Sequence, residues 1–96
     1  MESNKWQNQD TDKLFEAILK LKTGAECEAF FRDLLTLTEI KELAMRLKIA
    51  RMLEQKKKSY WQIAKDAKTT TATVSRVAHW LKQGTGGYQL IINRLK

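Results

Sequence analysis

Ser59–Trp80 reads SYWQIAKDAKTTTATVSRVAHW, and this stretch decides the fold. Ser59 and Gln62 stand three apart. That spacing predicts a capping box, in which each side chain satisfies an orphan backbone N–H at a helix start. A short helix is then expected from Tyr60 to about Ala67, with Ile63 and Ala64 facing inward. A polar break covers Lys68 to Thr70. A second helix follows, with Val74, Val77, Ala78 and Leu81 on one face. Two short helices separated by so brief a break form a helix-turn-helix unit, here residues 59–81. Ala64 is small enough to let the helices cross closely, and Ile63, Ala67, Val74 and Val77 supply the shared apolar wedge.

The outward side of this unit carries the chemistry. Thr70, Thr71, Thr73, Ser75 and Arg76 lie at the start and on the outer face of the second helix. Hydroxyls make short hydrogen bonds to base edges or phosphates, and a guanidinium bridges a guanine edge or a phosphate. Such a helix enters the major groove while the first helix crosses the backbone. Lys56, Lys57, Lys58, Lys65 and Lys68 would then clamp phosphates of double-stranded DNA. The lysine triplet also has a purely structural explanation, because cations are favoured at a helix C-terminus. Lys68 stands five before Thr73, where this kind of turn usually has glycine. Lysine in a left-handed pose costs about 1–2 kcal/mol, so a wider or differently shaped turn is expected.

Upstream, Thr36 and Glu39 have capping-box spacing, and a helix is expected from there to about Gln55. Its apolar set is Ile40, Leu43, Ala44, Leu47, Ala50 and Leu53. At 1.5 Å per residue its roughly 19 residues span about 28 Å, long enough to cross a subunit boundary or to pack within one chain. Before it, Asp10–Lys22 has helical spacing on Leu14, Phe15, Ile18, Leu19 and Leu21, with Asp10 as cap and Gly24 as stop. A second short helix carries Cys27, Phe30, Phe31, Leu34 and Leu35, and Cys27 is expected as a small buried hydrophobe. Residues 1–9 lack a period and are expected as a flexible arm. Downstream, Trp80 is expected in the core or a pocket wall, and His79 near the helix end. Gly84, Gly86 and Gly87 mark a connection to a last apolar stripe of Tyr88, Ile91, Ile92 and Leu95, able to pack on the same or another subunit.

Composition narrows the class. Ninety-six residues with a net charge of +7 allow one domain with a modest core, and dimerisation would enlarge that core. Residues 1–40 hold five basic and eight acidic side chains, whereas residues 41–96 hold thirteen and three. The second half therefore carries +10 and is the candidate polyanion-contacting half. No basic helix has a Trp- and Phe-rich apolar face, so a membrane surface is not the expected partner. One cysteine, no proline and no long apolar run exclude disulfide scaffolds, proline-rich chains and spanning helices. The polar start MESNKWQNQD does not resemble a secretory signal, so a cytoplasmic protein is expected. There is no paired-carboxylate, nucleophile or phosphate-loop constellation, and no second His or Cys at metal spacing. The expectation is no enzyme, no catalytic or metal residue and no cofactor.

Residues 33–82, from DLLTLTEIKELAMRLKIA to TATVSRVAHWLK, resemble the bacterial tryptophan repressor family, and the whole chain looks like its YerC/YecD group. The LLT start, the Arg46 segment and ATVSR carry the likeness. The resemblance implies an all-α, six-helix Trp repressor-like fold with a helix-turn-helix, an intertwined homodimer, and one domain over residues 1–96. It also implies an effector pocket. Leu34, Leu35 and Thr36 match its lining, Arg46 the arginine against the indole, Arg76 the arginine on the carboxylate, and Thr73 a further wall position. Val77 stands where the family repressor has glycine, and Trp80 where it has serine. Both are larger, and a polar contact is lost, which is costly for a buried ligand group. The expected function is thus a sequence-specific DNA-binding transcriptional regulator, in the repressing sense, working without ligand or with a different small-molecule effector. The rivals are a repressor that depends on tryptophan or a related metabolite, and an architectural or protein-interaction module.

Overall fold

The computed structural model describes residues 6–96. Among them are six α-helices and no strand: α1 (Gln9–Leu19), α2 (Gly24–Leu34), α3 (Leu37–Gln55), α4 (Tyr60–Asp66), α5 (Thr71–Gln83) and α6 (Gly87–Leu95). The described residues divide into two compact units, the first ending at Leu37 and the second running from Thr38 to Lys96. Residues 1–5 of the expected arm lie outside the described residues.

In the first unit the helix boundaries differ from expectation. Asn8, not Asp10, caps α1. Its side chain accepts from the Thr11 N–H at 2.9 Å, and the Thr11 hydroxyl oxygen accepts from the Asn8 N–H at 2.8 Å. Thr11 here takes the place of the Glu or Gln of the usual box, so Gln9 is already helical. Asp10 and Asp12 instead occupy the first turn, where the helix dipole favours them. Gly24 does not stop α1, which ends at Leu19. It opens α2 behind the Thr23 cap, whose hydroxyl oxygen accepts from the Glu26 N–H at 3.1 Å. The Glu26 carboxylate reaches back to the Lys22 N–H at 2.8 Å, so a second capping arrangement outcompetes the glycine signal. No residue of α1 or α2 is fully buried. Cys27 is exposed rather than buried.

The second unit holds the core. Ile49 and Ala50 of α3, Ile63 and Ala64 of α4, Val74, Val77 and Leu81 of α5, and Ile92 of α6 form one buried cluster. Ile49, Ile63 and Val74 have no exposure at all. The inward residues expected on α4 and α5 are the ones found, including Ala78. The expected α3 face is only partly right. Met45, Ile49, Ala50, Met52 and Leu53 point into this core, while Leu43 is 46% exposed and Ala44 is also exposed. The helix thus carries two apolar faces. On α6 only Tyr88 and Ile92, one turn apart, face the core, and Ile91 and Leu95 stay exposed.

The turns follow from local chemistry. α3 ends at Gln55, and the next residue, Lys56, takes a left-handed φ of 59°. The Ser59–Gln62 capping box forms, with bonds of 2.9 and 3.2 Å. After α4, Lys68 takes φ 58°. Its N–H donates to the Lys65 carbonyl at 3.2 Å, and the Thr69 N–H to the Ala64 carbonyl at 2.9 Å. These two bonds make a Schellman motif with lysine at the position that favours glycine. The turn therefore keeps the common geometry instead of widening, and Lys68 bears the strain. Gly84 closes α5 where a Cβ would lie 2.4 Å from the Trp80 carbonyl oxygen, so any side chain would collide.

Lys68→Gly is expected to stabilise the protein by about 1 kcal/mol, since it removes the left-handed penalty at a position already shaped for glycine. Thermal unfolding checks this. An unchanged or lower midpoint would show that the lysine is not strained.

Candidate nucleic-acid interface

The outer face of α5 is set by its inner one. With Val74, Val77, Ala78 and Leu81 buried, helical period leaves Thr71, Ala72, Ser75, Arg76 and His79 exposed. Thr70 caps the helix: its hydroxyl oxygen accepts from the Thr73 N–H at 3.2 Å and lies 3.2 Å from the Thr73 hydroxyl. Thr73 is half-buried. The two threonines thus shape the start of α5, while Thr71, Ser75 and Arg76 present free polar groups outward. Ala72 adds a methyl among them.

Several lysines precede this helix in the chain. Lys56 and Lys57 are exposed at the end of α3, and Lys65 and Lys68 on and after α4. Lys58 forms an exposed hydrogen-bonded ion pair with Asp66. That hydrogen bond holds the Asp66 carboxyl below its usual 3.8, opposed by desolvation and assisted by the charges of Lys58, Lys48 and Lys65. The Lys48 ammonium also reaches the Asp66 backbone carbonyl at 3.5 Å. Asp66 therefore acts as an internal counter-ion for the basic side of the head.

Sequence reading missed Trp61. It is 64% exposed, with the Lys65 ammonium 5.2 Å from its ring centroid. The signal was present: Ile63 and Ala64 fix the inner side of α4, and residues 61 and 65 share the outer one.

The expected effector residues fall in both units. Leu34 ends α2 and is 48% exposed, Leu35 is its extended C-cap, and Thr36 precedes α3. In the second unit Arg46 and Arg76 are exposed, Thr73 is half-buried, and Val77 is committed to the core. Trp80 departs from expectation. It is not in the core but 55% exposed, edge-on to His79 at 5.4 Å, because Ala78 and Leu81 take the inward positions of that turn. A cavity of about 510 Å³ opens beside Leu53, Lys56, Tyr60, Leu81 and Lys82, and none of the expected effector residues lines it.

The pattern of six helices with a helix-turn-helix at α4–α5 is matched by comparison. The Trp repressor protein family matches residues 9–96. The chain belongs to that family. It is 41% identical to YerC of Bacillus subtilis (strain 168) over 96 residues, which is all of this chain and 91% of that protein. Its backbone is similar to the crystal structure of a TrpR like protein from Eubacterium eligens, with a TM-score of 0.90 and 40% identity over 97% of this chain and 95% of that one. As a Trp repressor family member it is of the YerC group. No described helix is long and apolar enough to cross a membrane, and no described group of three or more His, Cys, Asp or Glu could hold a metal ion.

The Asp66 pair gives a pH signature. A carboxyl held lower in the folded state stabilises fully above its unfolded value and loses that contribution as pH falls through the folded one. Asp66→Asn should therefore flatten the fall in stability below about pH 4. Denaturant titrations across the acid range check this, and an unchanged acid limb would remove the pair from the account.

Proposed function

We propose that this protein is a sequence-specific DNA-binding transcriptional regulator that acts as a homodimer and represses by occupying its operator. The observation that carries this is the outer face of α5. Thr71, Ser75 and Arg76 stand clear of the core on a helix capped by Thr70, and exposed lysines lie on α4 and at the turns before and after it. The balance of +10 over residues 41–96 supplies the long-range attraction to phosphate. Membership of the Trp repressor family supports the same reading.

A homodimer is supported by apolar surface the protomer leaves open. Leu37 and Leu43 of α3 are 55% and 46% exposed, and Phe15 and Leu19 of α1 are 46% and 84% exposed. Apolar area of this kind on helices of a small chain calls for a partner. Two heads in such a dimer would read half-sites about 34–36 Å apart. Selection of bound sequences from a random pool should therefore return a two-fold symmetric consensus of that spacing. Binding without sequence preference would overturn the regulator reading in favour of an architectural role. On the selected site Arg76→Ala is expected to cost about 1–3 kcal/mol and to relax one position. Lys57→Ala should weaken every sequence alike and flatten the salt dependence by about 0.9 in slope.

The regulator binds DNA without tryptophan in this proposal. Val77 is spent in the core and Trp80 adds a large ring where the family resemblance implied serine, so neither provides the space or the polar contact of an indole site. Calorimetry with L-tryptophan should show no binding heat for the wild-type protein. Saturable heat would instead establish the effector-dependent reading.

A further inference from the structure

We propose that Trp61 is a DNA-backbone contact, its indole packing on the apolar face of a deoxyribose while Lys65 meets the adjoining phosphate. This rests on the DNA-binding reading above and adds to it an uncharged contact on α4. Trp61 is the most exposed of the described Trp, Tyr and Phe side chains, at 64%. An indole has one hydrogen-bond donor and a large apolar face, so leaving it in water forfeits burial that a partner would recover. Its surroundings select the partner. Lys65 lies 5.2 Å from the ring centroid, and a shallow groove of about 330 Å³ beside it is bordered by Lys58, Gln62, Lys65 and Asp66. Within that border Asp66 is already paired with Lys58, which leaves the Lys65 ammonium as the free charge. A flat apolar face next to a free cation matches the alternation of sugar and phosphate along a nucleic-acid strand. α4 is also the helix that crosses the backbone when α5 enters the groove. A sugar is the same at every nucleotide, so this contact adds affinity and register without reading sequence.

The test compares the full-length wild type with Trp61→Ala, Trp61→Phe and Lys65→Ala on the selected consensus and on a scrambled duplex, across a salt series. Trp61→Ala should weaken both duplexes by the same factor, roughly tenfold, with an unchanged salt slope, because no counter-ion is released by an indole. Trp61→Phe should recover most of the loss. Lys65→Ala should flatten the slope by about 0.9. In a Trp6→Phe/Trp80→Phe protein, where Trp61 is the one remaining indole, emission should change and become shielded from acrylamide in step with DNA saturation. Unchanged affinity of a folded Trp61→Ala protein would overturn the proposal. So would an indole already shielded before DNA is added, which would mean that a second copy covers it. Failure of the wild type to bind any duplex is a distinct result, and it would remove the DNA-binding reading itself.

Discussion

The crossing of α4 and α5 governs the rest of the second unit. Ile63 and Val74 meet there with no exposure, and Ala64 keeps the helices close by having almost nothing to displace. Holding that crossing requires a tight reversal after Asp66. The chain achieves it with a Schellman motif that forces Lys68 into a left-handed pose. The cost of about 1–2 kcal/mol is small beside the burial of two branched side chains, each worth about 1.5–3 kcal/mol. The packing wins, and Lys68 keeps its charge beside the start of α5. Once α5 is seated on Val74, Val77 and Leu81, its period alone turns Thr71, Ser75 and Arg76 outward.

Electrostatics on this head is not a simple accumulation of lysines. Asp66 sits among Lys48, Lys58 and Lys65 and binds one of them outright. An exposed pair of this kind contributes little to stability. Its larger consequence is that it tempers the local field and removes one cation from the free set. The contacts that remain are of different kinds: free ammonium groups that any polyanion would attract, hydroxyls and a guanidinium with directional demands, and an exposed indole that responds to shape. Attraction of ammonium groups to phosphate alone does not distinguish one duplex from another, whereas directional hydrogen bonds do.

The start of each helix in the helix-turn-helix was legible in the sequence, while α5 runs on to Gln83, beyond its expected end. The signals are local: the Ser59–Gln62 box, the polar break and the four inward positions of α5 are set by neighbours within one or two turns. The six-helix fold was legible through resemblance, and the family and structural comparisons bear it out. Reading failed where competition or distance decided. Gly24 looked like a stop, but Thr23 and Glu26 made the same place a start. Asp10 looked like a cap, but Asn8 found a reciprocal partner in Thr11. On α3 two apolar stripes overlap in sequence, and periodicity could not say that Met45, Ile49 and Met52 form the one facing α4–α6.

The sequence by itself determined where α4 and α5 start, which face of α5 is apolar, and that the second half is strongly basic. These depend on backbone capping and on helical period, which act over a few residues. Only the tertiary structure decided which cations are free, that Trp80 stands in solvent and that Cys27 is uncovered. Those outcomes depend on which surfaces meet. Lys58 is bound because the fold brings Asp66 to it across α4, and no spacing rule contains that encounter.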